Sequence, residues 1–387
     1  MKIGFLFNHD QLHQVAHSLP IALALAGMGT GAEIVVATTG ERIRAEVELL
    51  AGDAIGQGLT LVPLDLTKPW SRAIEKLAGR LVPARKLFVL GDNLDFFRTL
   101  EVLVVAEKTS LTLKKQLPNL KIVHTRHGAG DRAIGFDEAS AGFDAVMISG
   151  PKIGKRLVAE AGLDPARLHM VGYPKFDLHR HTRSELPFAS DDPRLIILYN
   201  PHPSPHLSSW FRLGPAILDW FVDNPGYRLI FAPHVMLFER PFAVSIDKLR
   251  IARPGRIEQR WKRAENIFID TGSRASTTMA YTNAADLYLG DASSQVYEYL
   301  LHPRPCVFVD AHDSDWQGNP NFTHWRAGQV IDDVTDLGDA IARAGAEFAS
   351  TYRPIQEKLF AHSFDLTDEP SAVRAARAIA RVAGLSP

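Results

Sequence analysis

The stretch DLYLGDASSQVYEYLLHPRPCVFVD, Asp286 to Asp310, decides the fold class. An apolar run, Leu287 to Leu289, stops at Gly290-Asp291. Ala292, Ser293 and Ser294 follow, Gln295 to Leu301 opens an amphipathic segment, and a second apolar run occupies Cys306 to Val309. Strand, short loop, helix and strand in that order belong to a parallel sheet. With Gln295 to Leu301 helical, the Ser293 and Ser294 hydroxyls and the free N–H groups of the first turn converge where the helix dipole favours an anion such as a phosphate. Glu298 then lies one turn on, placed to accept from a ribose. A plainer reading stands beside this one, a capped helix after a buried strand, since Ser and Asp are ordinary N-cap residues.

Working outward, short β-branched runs alternate with helical segments. A first series is Lys2 to Phe7, Ala32 to Ala37, Leu59 to Leu64, Leu87 to Leu90, Lys121 to His124 and Ala145 to Ile148. The second is Leu195 to Tyr199, Arg228 to Ala232, Ile267 to Asp270, Leu287 to Leu289 and Cys306 to Val309. Two α/β domains are expected, each a doubly wound parallel sheet with helices on both faces. Leu178 to Pro193, polar and aperiodic, suits the linker between them. The boundaries read as 1–178 and 190–387, with a last helix at about 371–383 that crosses back to the first domain.

The chain has 387 residues, 43 Lys and Arg against 44 Asp and Glu, and a formal charge of −1. That balance gives no global attraction to nucleic acid or to an anionic membrane. The single Cys306 permits no intramolecular disulfide and fits a cytoplasmic setting. Met1 to Asn8 lacks the basic and apolar regions of a signal peptide. The longest apolar stretch, Leu19 to Thr38, is broken by Gly27, Gly29, Gly31 and Glu33, so helix, turn and strand are expected in place of a membrane span. The basic stretch Arg240 to Arg263 reads as a solvated helix face and leaves peripheral contact with the inner face of a membrane open.

In doubly wound sheets ligands bind beyond the carboxyl ends of the strands, and two such domains place both sets of strand ends around a central cleft. Lys121 to His124 runs into Thr125-Arg126-His127-Gly128-Ala129-Gly130-Asp131-Arg132, where the glycines let backbone approach a ligand and a neutral His127 has the chemistry of a general base. Arg228 to Ala232 ends at Pro233-His234, and Leu195 to Tyr199 ends at Asn200-Pro201-His202-Pro203. Among fifteen histidines some fall at strand ends by chance, so the recurrence counts for more than any one residue. No histidine pair has the spacing of common metal motifs and no cysteine accompanies them, so no metal is assigned. Trp210, Phe211, Trp220 and Phe221 read as core of a helix on the sheet. Asp313 to Asn321, with Trp316, reads as a loop that orders over a ligand.

The order His127-Gly128, then Val171-Gly172-Tyr173-Pro174-Lys175-Phe176-Asp177, then Tyr199-Asn200-Pro201, His234, and Asp291-x-Ser293-Ser294-x-x-x-Glu298 with Arg304-Pro305 resembles the CDP-glycerol glycerophosphotransferases. These enzymes build teichoic-acid-type polymers on a GT-B fold of two Rossmann-like domains. The resemblance covers roughly residues 120 to 310. It implies His127 as the base for an acceptor hydroxyl, His234 at the donor pyrophosphate, and Ser293 and Ser294 on phosphate oxygens, with Lys175 supplying the charge of the family's arginine. Asp291 and Glu298 belong to the same motif, Glu298 standing where the family usually has an aspartate, and His202, at its strand end, joins them as a candidate for the donor site. This chain departs from the usual His-Gly-Thr-Pro and Arg-x-His-Pro at His127-Gly128-Ala129-Gly130 and Ala232-Pro233-His234-Val235. The lost guanidinium needs a substitute, for which Arg126, Arg132 and Arg274 are the candidates.

The expected function is transfer of a glycerophosphate-type group from a nucleotide-activated donor, CDP-glycerol or similar, to a hydroxyl on a cell-envelope glycan or glycolipid. No cofactor and no nucleic acid are involved. A nucleotide-sugar glycosyltransferase or UDP-sugar 2-epimerase of the same architecture is the alternative, with Asp131, Glu298 and Asp315 as the carboxylates an epimerase would use. A non-catalytic nucleotide-binding protein is the third.

Overall fold

A computed structural model describes residues 1–8, 11–78, 84–186, 188–245 and 248–386, with Ala78, Ala84 and Ile134 described by their backbones alone. Pro187 in the linker stretch and Ile246-Asp247 in the basic stretch lie outside the described residues. The chain forms two compact units. One comprises Met1–Gly128, Phe136–Leu178 and His362–Pro387, the other Ala129–Gly135 and His179–Ala361.

In the first unit the strands are β1 (Lys2–Phe7), β2 (Glu33–Thr38), β3 (Leu59–Pro63), β4 (Val102–Val105), β5 (Lys121–His124), β6 (Ala145–Ile148) and β7 (Leu168–Met170). They form one parallel sheet in the order β3-β2-β1-β4-β5-β6-β7. Its direction of winding reverses between β1 and β4, which makes that seam the place for a ligand. Alternation along the strands sends Ile3, Phe5, Phe7, Val102 and Val104 into one apolar layer, and Leu6, Leu103 and Val105 into another. Both faces are therefore buried, which is why these strands read as nearly continuous apolar runs.

The first layer is covered by the helices Val15–Gly27 and Ser371–Ala383. The segment Val171–Asp177 receives the second of these. Gly172 has φ 82°, and a Cβ there would lie 2.4 Å from Ser371 Oγ. Tyr173 N–H donates to Ser371 Oγ at 2.9 Å, and the Asp177 carboxylate accepts from the Ala372 N–H at 2.7 Å, capping the helix.

The second unit contains β8 (Ile196–Asn200), β9 (Arg228–Phe231), the strands β10 (Ala243–Ser245) and β11 (Arg250–Ala252) of a separate antiparallel ribbon, β12 (Ile267–Ile269), β13 (Leu287–Gly290), β14 (Cys306–Val309) and β15 (Gln329–Ile331). The six-stranded sheet is parallel in the order β12-β9-β8-β13-β14-β15, with its reversal between β8 and β13. Trp210 and Phe221 are core residues, with Trp210 stacked on Phe231 at 5.0 Å between centroids.

Two expectations are corrected. Leu87–Leu90 lies in the helix Ala84–Asp92, and the fourth strand is Val102–Val105. A four-residue apolar run has no period of its own, and the better β-former was the valine-rich run that follows. Arg240–Arg263 is no helix face: it holds the ribbon β10–β11 and only a five-residue helix, Gln259–Arg263. No helix among the described residues is long and apolar enough to cross a membrane.

Candidate functional site

At the reversal of the second sheet, Asn200 ends β8 and Asp291 follows β13. Asn200 donates through Nδ2 to the Ala232 carbonyl at 2.6 Å, and its Oδ1 accepts from Ser293 Oγ at 2.6 Å. Asp291, wholly buried, accepts from the His202 N–H (2.9 Å), the Ser209 N–H (2.6 Å) and Ser209 Oγ (2.8 Å). Burial pushes its carboxyl up to about 6, against the pull of those donors. Its oxygens face the loop that follows β8, so it fixes that loop and presents no surface of its own to a ligand.

The loop so held carries His202, whose ring lies 6.2 Å from that of His234, the residue that follows β9 and Pro233. Burial first, and then Arg132 and the neighbouring histidines, hold His202 well below the usual imidazole range. Ser204 N–H points at Nδ1 (3.0 Å) and Arg132 Nη1 at Nε2 (3.0 Å). Both are donors, and a neutral imidazole has one acceptor nitrogen, so no tautomer satisfies both. The backbone donor is fixed by the turn, and the guanidinium is the side-chain member of the mismatch.

Arg132 itself is placed by the preceding residue. Asp131 is buried, and its Oδ2 accepts from Tyr297 OH (2.6 Å), His324 Nδ1 (2.9 Å) and the His324 N–H (3.2 Å). His324 Nε2 meets the Asp291 carbonyl at 2.9 Å, where Trp325 Nε1 also donates. The ring is thus held between a buried carboxylate and a backbone carbonyl, one at each nitrogen. Gly130 completes the fit, since a Cβ there would lie 2.8 Å from Ser294 Cβ. The Asp131–His324–Tyr297 cluster was not assigned from sequence. Its members stand far apart in the chain, so no local pattern signals it.

Of the serine pair, Ser293 is buried on Asn200 and Ser294 is exposed. The helix after them is only Gln295–Tyr299, and Ser294 makes no side-chain cap. One turn carries little dipole, so the expected helix-terminus effect is replaced by side chains. Glu298 is buried. Arg274 is exposed in the loop after β12.

His127, Arg126 and Lys175 belong to the first unit. His127 follows β5, and its Nδ1 lies 2.7 Å from the Ala106 carbonyl at the end of β4. A carbonyl only accepts, so Nδ1 carries the proton and Nε2 keeps its lone pair. The ring keeps exposed surface, yet its packed surroundings lower its pKa, desolvation first and Arg126, Lys86 and Lys108 adding to it, against the Ala106 hydrogen bond. Arg126, at φ 58°, lies over the Phe136 ring at 5.0 Å, with Arg156 also on that ring at 3.9 Å. Burial and then Arg156 bring Arg126 down to about 10. Lys175 is buried in the helix Pro174–His179. No group of three or more His, Cys, Asp or Glu among the described residues is placed to hold a metal.

Neither a protein-family model nor a curated protein matches the sequence. Solved structures do match in fold. The UDP-GlcNAc 2-epimerase of Neisseria meningitidis bound to UDP-GlcNAc is 11% identical with a TM-score of 0.62, over 99% of both chains. A putative UDP-N-acetylglucosamine 2-epimerase of Listeria monocytogenes is 12% identical at 0.59, over 98% of this chain and 95% of that one. A variant of the wall teichoic acid polymerase TagF soaked with CDPG is 14% identical at 0.57, over 99% and 87%. The fold is GT-B. At these identities the likeness establishes architecture, and the chemistry rests on the residues.

Proposed function

We propose that this chain is a transferase that takes a glycerophosphate-type group from a nucleotide-activated donor, CDP-glycerol or a close analogue, to an acceptor hydroxyl in cell-envelope glycan or glycolipid synthesis. The observation that carries this is the set His202, His234, Ser294 and Arg132 at the reversal of the second sheet. It offers a cation, a hydroxyl and two imidazoles to a diphosphate where this architecture binds ligands. Arg132 supplies the guanidinium that the departed Arg-x-His-Pro motif lacks.

In this mechanism His127 Nε2 takes the proton of the acceptor hydroxyl, whose oxygen attacks the phosphorus that bears glycerol. The bond from that phosphorus to the bridging oxygen breaks, and CMP leaves with the electron pair. Arg132, Ser294 and His234 stabilise the charge that grows on the leaving phosphate. His127 is suited to the proton because its tautomer is set by Ala106 and its neutral form is favoured.

The epimerase alternative is weakened by its carboxylates. Asp131 is consumed by Tyr297 and His324, and Glu298 is buried, which leaves Asp315 as the exposed one of the three. The test is thermal shift with CDP-glycerol, CMP, CDP, UDP, UDP-GlcNAc and GDP on wild type, Ser294→Ala and Arg132→Ala. Cytidine compounds should stabilise wild type best, and both variants should lose most of the shift. Preference for UDP-GlcNAc would move the protein to sugar chemistry, and no response to any nucleotide would overturn the proposal.

A further inference from the structure

The ribbon β10–β11 pairs Ala243 with Ala252, Val244 with Ile251 and Ser245 with Arg250. Side chains alternate between its faces. Ala243 and Ser245 are buried, and Ser245 Oγ lies 2.8 Å from His206 Nδ1, so one face rests on its own unit. On the other face the directly opposed Val244 and Ile251 are 55% and 69% exposed, with Leu249 at 89% and Phe242 at 44%. An isolated two-stranded ribbon in water does better with polar side chains outward, and a clustered apolar face of this kind marks an interaction surface.

The surrounding charge selects the partner. Arg240, Lys248, Arg250, Arg253 and Arg256 stand against Asp247 alone in residues 240–256, and those five cations are exposed. The Arg253 guanidinium lies 4.9 Å from the centre of the Phe242 ring, covering that apolar side chain with charge. Leu249 and Ile251 also form part of the wall of a cavity of about 1180 Å³ that Arg132, Arg212, Lys248 and Arg250 make cationic. Apolar side chains that project beyond a basic rim fit the headgroup and acyl boundary of an anionic bilayer, where the cations meet lipid phosphates and the apolar tips leave water. A soluble polyanion would use the cations and leave the apolar pair exposed.

We propose that the β10–β11 ribbon docks this protein on membranes rich in anionic phospholipid. Val244, Leu249 and Ile251 enter the interface, and Lys248 and Arg253 contact the phosphates. Lys248, Leu249, Arg250 and Ile251 share that cavity wall with Arg132, but the docking test needs no nucleotide, so its failure and that of the donor reading are read separately. The full chain is sedimented with vesicles of phosphatidylglycerol and phosphatidylcholine, and with vesicles of phosphatidylcholine alone. It should partition to the anionic vesicles, less so at high salt, and not to the neutral ones.

V244S/L249S/I251S should weaken partitioning by about tenfold, and K248Q/R253Q by roughly fivefold for each charge removed. All these side chains are exposed, so melting temperatures should match wild type, which separates lost docking from lost folding. Equal binding to both vesicle types, no binding, or unchanged binding by the apolar triple variant would overturn the proposal. So would ribbon-dependent binding of soluble polyphosphate with none to vesicles.

Discussion

Asp131→Ala removes the acceptor on which three buried donors converge, the Tyr297 hydroxyl and the His324 Nδ1–H and N–H. Each buried donor left without a partner costs about 1–3 kcal/mol. Because the three share one carboxylate oxygen, the costs overlap, and about 3–5 kcal/mol is the expected loss. For a unit of this size that lowers the melting temperature by roughly 6–20 °C. Asp131→Asn keeps one acceptor oxygen but turns the other position into a donor, so it should fall between wild type and the alanine variant. Urea unfolding followed by tryptophan fluorescence reports on this region, since Trp325 lies 6.4 Å from the His324 ring. Asp131 also precedes Arg132, so nucleotide-induced stabilisation should fall in the same variants. A loss below about 1 kcal/mol for Asp131→Ala would refute the view that this cluster anchors the segment Ala129–Gly135.

Asp177→Ala uncaps the helix Ser371–Ala383 and should cost about 0.5–2 kcal/mol in urea unfolding, with nucleotide shifts unchanged because the helix belongs to the first unit. His127→Ala should reduce turnover by ~100- to 10,000-fold at unchanged melting temperature; activity near wild type would remove it as the base. Its lowered pKa places the acid limb of kcat/KM below pH 6.5, where the ring gains its proton, and a limb above that value would contradict the environment described. Asp291 has a folded pKa of about 6 against 3.8 unfolded, so its contribution favours the fold below pH 3.8 and is lost as pH rises through 6, by about 3 kcal/mol in full. The pH dependence of unfolding between 4 and 6 should flatten in Asp291→Asn.

The α/β architecture was legible because parallel strands buried on both faces must be apolar along their length, and Lys2–Phe7, Lys121–His124, Ala145–Ile148 and Cys306–Val309 all are. Where a run was too short to carry a period, as at Leu87–Leu90, helix and strand could not be told apart, and the neighbouring valines of β4 went unread. The ribbon β10–β11 was hidden for a different reason. Its strands are three residues each and its cations suggested a solvated helix, while the apolar partners Val244 and Ile251 become a pair only when the chain turns back on itself.

The site followed the same division. Residues that sit at strand ends, His127, His202, His234 and the serines, could be named from sequence because the end of a parallel strand is a place that sequence can locate. What each does there depends on contacts over long separations. Asp291 looked like part of an anion loop and is the buried fastening of the loop after β8, 82 residues away at Ser209. Arg132 was one of three candidate cations and is singled out by a histidine 70 residues later whose two nitrogens face donors. That mismatch is a reason to expect a ligand. A buried imidazole held between two donors is poorly satisfied, and an anion that draws Arg132 away would relieve it while gaining a charge-assisted hydrogen bond. His202→Ala removes the mismatch together with the histidine. If relief of the mismatch contributes to affinity, the variant should bind nucleotide less tightly than wild type although Arg132 is released from it, whereas tighter binding would mean that His202 competes with the phosphate for the guanidinium.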